Sequence, residues 1–284
     1  MNKSDIQFVL FLLSIFVYLN NKTFATEPAP GEHTTPESIH HYPTDSSEEI
    51  YENSENLLCT NPEEIQNAEI FMNDAVKQLE SHAKSKYGYQ FDGSCFLRHA
   101  FFYQKKHKKH IDVNKIEYTV DDPNTYNQMI NEFWDSDSVN VPIISFAKIV
   151  RVYNPNLILI QQRYKKGFMS RPKYFYAVAK KVQVTQNKTI IVMASANIND
   201  HNPSNNEYEN PIVESANIFR TEVDSEDDIR DGKLEKIFVN IRGYLIEKKN
   251  SYINITFIES MDDHDSSSLK CLIKNTLFCL FLHK

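Results

Sequence analysis

Two stretches of this chain are apolar at every position: Leu157-Ile158-Leu159-Ile160 and Ile190-Ile191-Val192-Met193. Short apolar runs between turn residues read as strands, and a strand with one wet face alternates apolar and polar side chains. These two do not alternate, so both faces of any sheet that holds them must be covered. One face can pack on a helix. The other needs a second partner, either another layer of protein or an internal cavity holding an apolar guest. The pattern alone leaves those two open.

The surrounding sequence supplies hairpins and helices. Residues 146–153 and 157–164 flank Asn154-Pro155-Asn156, residues 174–184 and 189–198 flank Gln186-Asn187-Lys188, and residues 237–247 and 252–259 flank a polar turn. Residues 115–120 are a further strand, and a polar stretch over 199–211 interrupts the series. Asn61-Pro62-Glu63-Glu64 is a helix start, with Asn as cap and Pro at the first helical position. Ile65, Ala68, Met72, Ala75, Val76, Leu79 and Ala83 then follow at helical spacing, which predicts an amphipathic helix over 62–86. Asp122-Pro123 starts a second helix whose apolar face is Tyr126, Met129, Ile130, Phe133 and Trp134. Leu269, Leu272, Ile273, Leu277 and Leu280 predict a terminal helix. Hairpins bracketed by helices indicate an α+β fold with a mostly antiparallel sheet, because a doubly wound sheet needs alternating β and α units.

Charge and composition exclude several function classes. The net charge of −7 divides into +1 over residues 1–25, −8 over 26–58 and 0 over 59–284. A neutral body has no long-range field to draw in nucleic acid, so no nucleic-acid partner is expected. The six glycines build neither a G-x-G-x-x-G turn nor a Walker loop. There is no H-E-x-x-H, no G-x-S-x-G and no C-x-x-C, and the Asp pairs at 121–122, 227–228 and 262–263 lie in turn contexts. Neither an enzyme nor a cofactor or metal is expected. The basic run Lys105-Lys106-His107-Lys108-Lys109-His110 reads as a solvated loop, since no acidic or cysteine ligand accompanies it.

Residues 6–19 are an apolar run of fourteen, followed by Thr23-Phe24-Ala25. That is the grammar of a signal peptide over 1–25 with a cut after Ala25; the competing reading is an uncleaved anchor. Residues 26–58, acidic and holding four prolines, read as a disordered linker. The rest, 59–284, is the folded domain, destined for the secretory pathway. Of the four cysteines, Cys59 and Cys95 are placed to close a loop around the first helix, but the three possible pairings and simple buried thiols all remain open. Asn187-Lys188-Thr189 and Asn254-Ile255-Thr256 fit the glycosylation sequon.

A set of local matches in order points to a family. VDDPNTYNQMINEFWD (120–135), KIVRVY (148–153), LILIQQRYKK (157–166), SRPKYFYAVAKK (170–181), RGYLIE (242–247) and YINITFIES (252–260) follow a signal segment and an acidic linker. The chain resembles the fam-a proteins of malaria parasites, which carry a StAR-related lipid transfer (START) domain. The resemblance covers 59–284 and implies a helix-grip fold, in which a curved antiparallel sheet wraps a C-terminal helix and encloses a lipid tunnel.

Function follows from the same resemblance. It implies a secreted or exported lipid-binding and transfer protein, with phosphatidylcholine in the tunnel, transient membrane contact and an unidentified host-cell partner. The runner-up is a host-facing surface antigen that keeps the scaffold without transfer. In relatives that carry phosphatidylcholine, an aromatic cage holds the choline. By alignment Tyr174 falls on one cage aromatic, Phe219 beside another and Gln161 on a third, while Trp134 is the aromatic of the Trp-Asp pair. Sterol-carrying relatives place a buried Glu–Arg pair where this chain has Leu159 and Val178. Asn131 stands in place of a phosphate-binding Arg, with Arg163 as the substitute. The segment after Ser266 is only 19 residues, short for a lid, and ends in the apolar run 277–282.

Overall fold

The computed structural model describes residues 54–95, 99–107, 111–134, 145–164, 171–204 and 208–262. The signal segment, most of the acidic linker and the predicted terminal helix lie outside the described residues, as do Cys271 and Cys279.

Helix α1 (Pro62–Lys84) begins where the sequence predicts. The Asn61 side chain accepts hydrogen bonds from the backbone N–H of Glu63 (3.0 Å) and Glu64 (3.3 Å), satisfying two of the donors a helix start leaves free. Its buried stripe is Ala68, Phe71, Met72, Ala75, Leu79, His82 and Ala83. Strands β1 (Gln90–Cys95), β2 (Ala100–Lys106) and β3 (Asp112–Val120) follow. A 3-10 turn (Pro123–Thr125) leads into α2 (Tyr126–Trp134). Then come β4 (Ser145–Asn154), β5 (Leu157–Tyr164), β6 (Lys173–Thr185) and β7 (Lys188–Ala194). The next stretch holds β8 (Asn197–Asn199), β9 (Arg220–Glu222), the one-turn helix α3 (Asp227–Arg230) and β10 (Glu235–Lys236). The last hairpin is β11 (Phe238–Lys248) and β12 (Ile253–Asp262).

The sheet order is β1-β2-β3-β12-β11-β7-β6-β5-β4, with every neighbouring pair antiparallel, and β10 pairs in parallel with the start of β6. The chain lays down one edge, crosses through α2 to the far edge, and works back to β7. The β11–β12 hairpin then fills the gap between β7 and β3, so it is the keystone that joins two separately formed halves.

Two expectations differ from the structure. Strands β1 and β2 pair at the sheet edge in a way the sequence does not announce, because β1 is interrupted by Gly93 at φ 135° with a register shift beside it. The basic run is correspondingly not all loop: Lys105 and Lys106 end β2, whereas residues 108–110 lie outside the description. Cys59 is a free thiol, half-buried, whose Sγ–H donates to the Asn61 carbonyl at 3.8 Å. Burial pushes its pKa up, against the lowering effect of that bond.

The glycine that matters for packing is Gly243 in β11. A methyl group there would meet the Ile191 carbonyl oxygen at 2.1 Å and the Leu79 side chain at 2.8 Å. Its missing side chain is what lets α1 seat Leu79 directly on the sheet.

Candidate functional site

Alternation along each strand sorts side chains onto two faces, and each face has its own apolar cluster. One is the α1 face. There Leu157, Leu159, Tyr174, Tyr176, Val178, Ile190, Val192, Leu245 and Ile258 meet α1, together with Val213, Ala216, Phe219, Val223 and Ile229 from the segment between β7 and β11. That segment, of which the sequence marks only 199–211 as a polar interruption, is a second cover for the sheet.

Six of the seven residues singled out by sequence are on this α1 face. Leu159 and Val178 are cross-strand partners and fully buried. Phe219 packs against Phe71 (centroids 5.6 Å apart) and Tyr153 (6.5 Å). Tyr174 donates its hydroxyl to Asp200 (2.8 Å), which also pairs with Lys236 (2.8 Å). Gln161 donates to the Tyr176 hydroxyl (2.6 Å) and to Glu226 (2.8 Å). Arg163 reaches Asp228 (2.6 Å) and Glu226 (2.7 Å), so it is committed to two carboxylates. Burial pushes the Glu226 carboxyl up, but donors from Lys148, Gln161 and its own backbone outweigh this and hold its pKa at about 2. Tyr174, Gln161 and Phe219 therefore sit within the core and polar ties that fasten α1 and the 195–237 segment. They do not meet Trp134, which lies on the opposite face.

The opposite face is built of rows set by strand register. One row is Tyr118, Ile255, Ile246 and Thr189. The next is Phe102, Ile116, Phe257, Tyr244, Ile191 and Lys181. Helix α2 meets these two rows: Tyr126 hydroxyl to Thr189 Oγ1 at 3.0 Å, Phe133 stacked on Tyr244 at 4.3 Å, and the Lys181 ammonium over the Trp134 ring at 5.6 Å. Among the described residues the helical cover of this face is α2 and the 3-10 turn Glu55–Leu57.

A third row is polar. It runs Gln104, Asn114, Glu259, Arg242 across β2, β3, β12 and β11, and ends at Met193 on β7. Glu259 is 2% exposed, and among the described residues neither of its carboxylate oxygens has a hydrogen-bond partner. Arg242 Nε stands 3.5 Å from Glu259 Oε1, an ion pair beyond good hydrogen-bond length, with its guanidinium 5.7 Å from the Phe257 ring centroid. Burial raises the Glu259 pKa, and the Arg242 charge only partly opposes the rise. Trp134 Nε1, also buried, is an orphan donor on the same face. Among the described residues this face thus offers an apolar floor with one orphan carboxylate, both oxygens unbonded, and one orphan donor. Sequence reasoning passed over Glu259 and Arg242. The available signal was alternation: Ile253, Ile255 and Phe257 share a face with Glu259, and Ile246 and Tyr244 with Arg242.

Elsewhere, a surface cleft of about 320 Å³ at the β1–β2 edge is lined by Gly88, Gln90, Phe91, Asp92, Gln104 and Lys106. Among the described residues no group of three or more His, Cys, Asp or Glu is placed to hold a metal, and no helix is long and apolar enough to cross a membrane.

No protein-family model matches the chain, and no curated protein matches it. Solved structures do. Human StAR-related lipid transfer protein 5 superposes over 75% of this chain and 91% of its own, at 10% identity and a TM-score of 0.51. Human STARD10 covers 71% of this chain and 78% of its own, at 11% identity and a TM-score of 0.46. The first of these likenesses shows the fold: this chain has a START-like α+β architecture of the helix-grip class.

Proposed function

We propose that this chain is a lipid carrier, holding one membrane lipid against the apolar rows of the sheet face opposite α1. The observation that carries the reading is that this face, unlike the α1 face, keeps buried polar groups that lack hydrogen-bond partners among the described residues beside an apolar floor, on a scaffold shared with human StAR-related lipid transfer protein 5. A two-chain lipid exposes about thirty methylenes, and at about 0.8 kcal/mol each its release into water is prohibitive. Apolar walls cancel most of that cost and leave the head to decide which lipid is taken.

The finer reading is a secreted or exported phospholipid carrier of the fam-a kind, its entry to the secretory pathway supported by the apolar run 6–19 and the small residues before position 26. Phosphatidylcholine is the phospholipid that the family resemblance implies. That choice rests on the resemblance alone, because Tyr174 and Phe219 are packed beneath α1. The test is to express the full chain in a eukaryotic secretory host, purify it, extract it with organic solvent and identify the extract by mass spectrometry. Lipid near one per chain supports the carrier. Protein that is empty, and stays empty after incubation with vesicles, overturns it and favours the surface-antigen reading.

A further inference from the structure

A carboxylate removed from water needs donors: ionised, it has two oxygens and about four acceptor sites. Among the described residues the fold supplies Glu259 with none in hydrogen-bond geometry and with the Arg242 cation at 3.5 Å. This is not how the chain treats Glu64 and Asp200. Glu64 is held by Arg151 (2.6 Å), Tyr153 (2.9 Å) and Thr221 (2.7 Å), and Asp200 by Tyr174 and Lys236 (both 2.8 Å). Stability does not account for the pair either, since replacing a buried ion pair by well-packed apolar residues is commonly neutral or favourable. The position is also specific. Glu259 and Arg242 face each other across the keystone hairpin, one register step from the Phe257–Tyr244 row that α2 covers.

We propose that Glu259, with Arg242 beside it, is the head-recognition site of the lipid face and selects amphiphiles whose polar head carries at least one N–H or O–H donor. The proposal rests on the carrier reading and deepens it, with a donor-bearing head in place of the phosphatidylcholine that the family resemblance implies. A donor from the ligand supplies what the fold withholds from the carboxylate. Trp134 Nε1, the orphan donor on the same face, adds a place for an ester, phosphate or ether oxygen of the same guest. A primary ammonium and a hydroxyl both satisfy this chemistry, whereas a trimethylammonium has no N–H to give.

The experiment uses the full chain and vesicles holding equal amounts of four lipids with the same acyl chains. These are phosphatidylethanolamine, its N-trimethylated counterpart phosphatidylcholine, diacylglycerol, and diacylglycerol capped as its methyl ether. After incubation the protein is recovered and its bound lipids are counted by mass. The expected result is enrichment of a donor-bearing lipid over its capped partner by about tenfold or more, the loss attached to a hydrogen bond with a charged acceptor. The pair that discriminates tells ammonium from hydroxyl. In the double variant Arg242→Leu/Glu259→Leu, the enrichment within whatever lipid is bound falls to about one in both pairs. Glu259→Gln, which keeps the volume, lowers it several-fold and serves if the double variant does not fold. Lipid bound without enrichment in either pair, or enrichment that survives the variants, overturns the proposal and leaves the carrier reading standing. Binding of none of the four lipids overturns both.

Discussion

The two faces of this sheet use the same strands and treat polar groups in opposite ways. Beneath α1 the buried polar side chains are tied to one another: Asp200 to Tyr174 and Lys236, Glu64 to Arg151 and Tyr153, Gln161 to Tyr176 and Glu226. Each tie also fastens one element to another, as when Lys180 and Asn154 of the sheet both reach Glu69 of α1. On the other face Glu259 has only the long ion pair with Arg242, and among the described residues neither its carboxylate oxygens nor Trp134 Nε1 has a hydrogen-bond partner. A face whose hydrogen bonds are complete within the protein is a structural interface. A face that leaves a buried acceptor and a buried donor incomplete is suited to completion from outside, and the cost of leaving them so is what a functional site accepts.

The contrast is sharpest in truncations. Phe71→Ala removes a fully buried ring of α1 that packs on Phe219, and is expected to lower unfolding free energy by about 3–5 kcal/mol in urea titration. On the other face, Arg242→Leu alone strands a buried carboxyl and is expected to cost about 3 kcal/mol. Adding Glu259→Leu should restore most of that loss. A double variant no more stable than Arg242→Leu would show the pair to be structural and erase the distinction between faces.

Acid and base should separate the faces by sign. Glu226 has an ordinary value of 4.5 and a folded value of about 2. Its contribution to stability is complete above 4.5 and is lost as pH falls toward 2. The Glu259 pKa is raised, so the folded state holds that proton more tightly, and stability declines as pH climbs from 4.5 through the raised value. Melting temperature measured from pH 2 to 8 should therefore lose its acid-side slope in part in Glu226→Gln and its upward-pH decline in Arg242→Leu/Glu259→Leu. The same slope lost from both variants would break the assignment. Smaller still, Asn61→Ala removes the α1 cap and is expected to cost about 1 kcal/mol. Ile218→Ser, at a side chain 83% exposed, should change stability by less than about 0.5 kcal/mol.

Much of the fold is legible because its signals are local. The cap and apolar stripe of α1, the Asn154-Pro155-Asn156 turn and the three hairpins depend on neighbours within a dozen residues, and the observed elements fall on them within a few positions. The β1–β2 pairing escapes notice because Gly93 breaks its alternation. The candidate site was less legible. Trp134 and the phosphate-partner candidate Arg163 belong to opposite faces, and nothing in their spacing says so. What the sequence by itself determined is α1, α2, the three long hairpins and the requirement that both sheet faces be buried, since propensity, turn chemistry and periodicity act along the chain. What the tertiary structure alone decided is which face received α1 and which polar residues were left incomplete. Arg242 and Glu259 become partners only when the closing hairpin takes its register between β7 and β3, and register is a property of packing between distant segments.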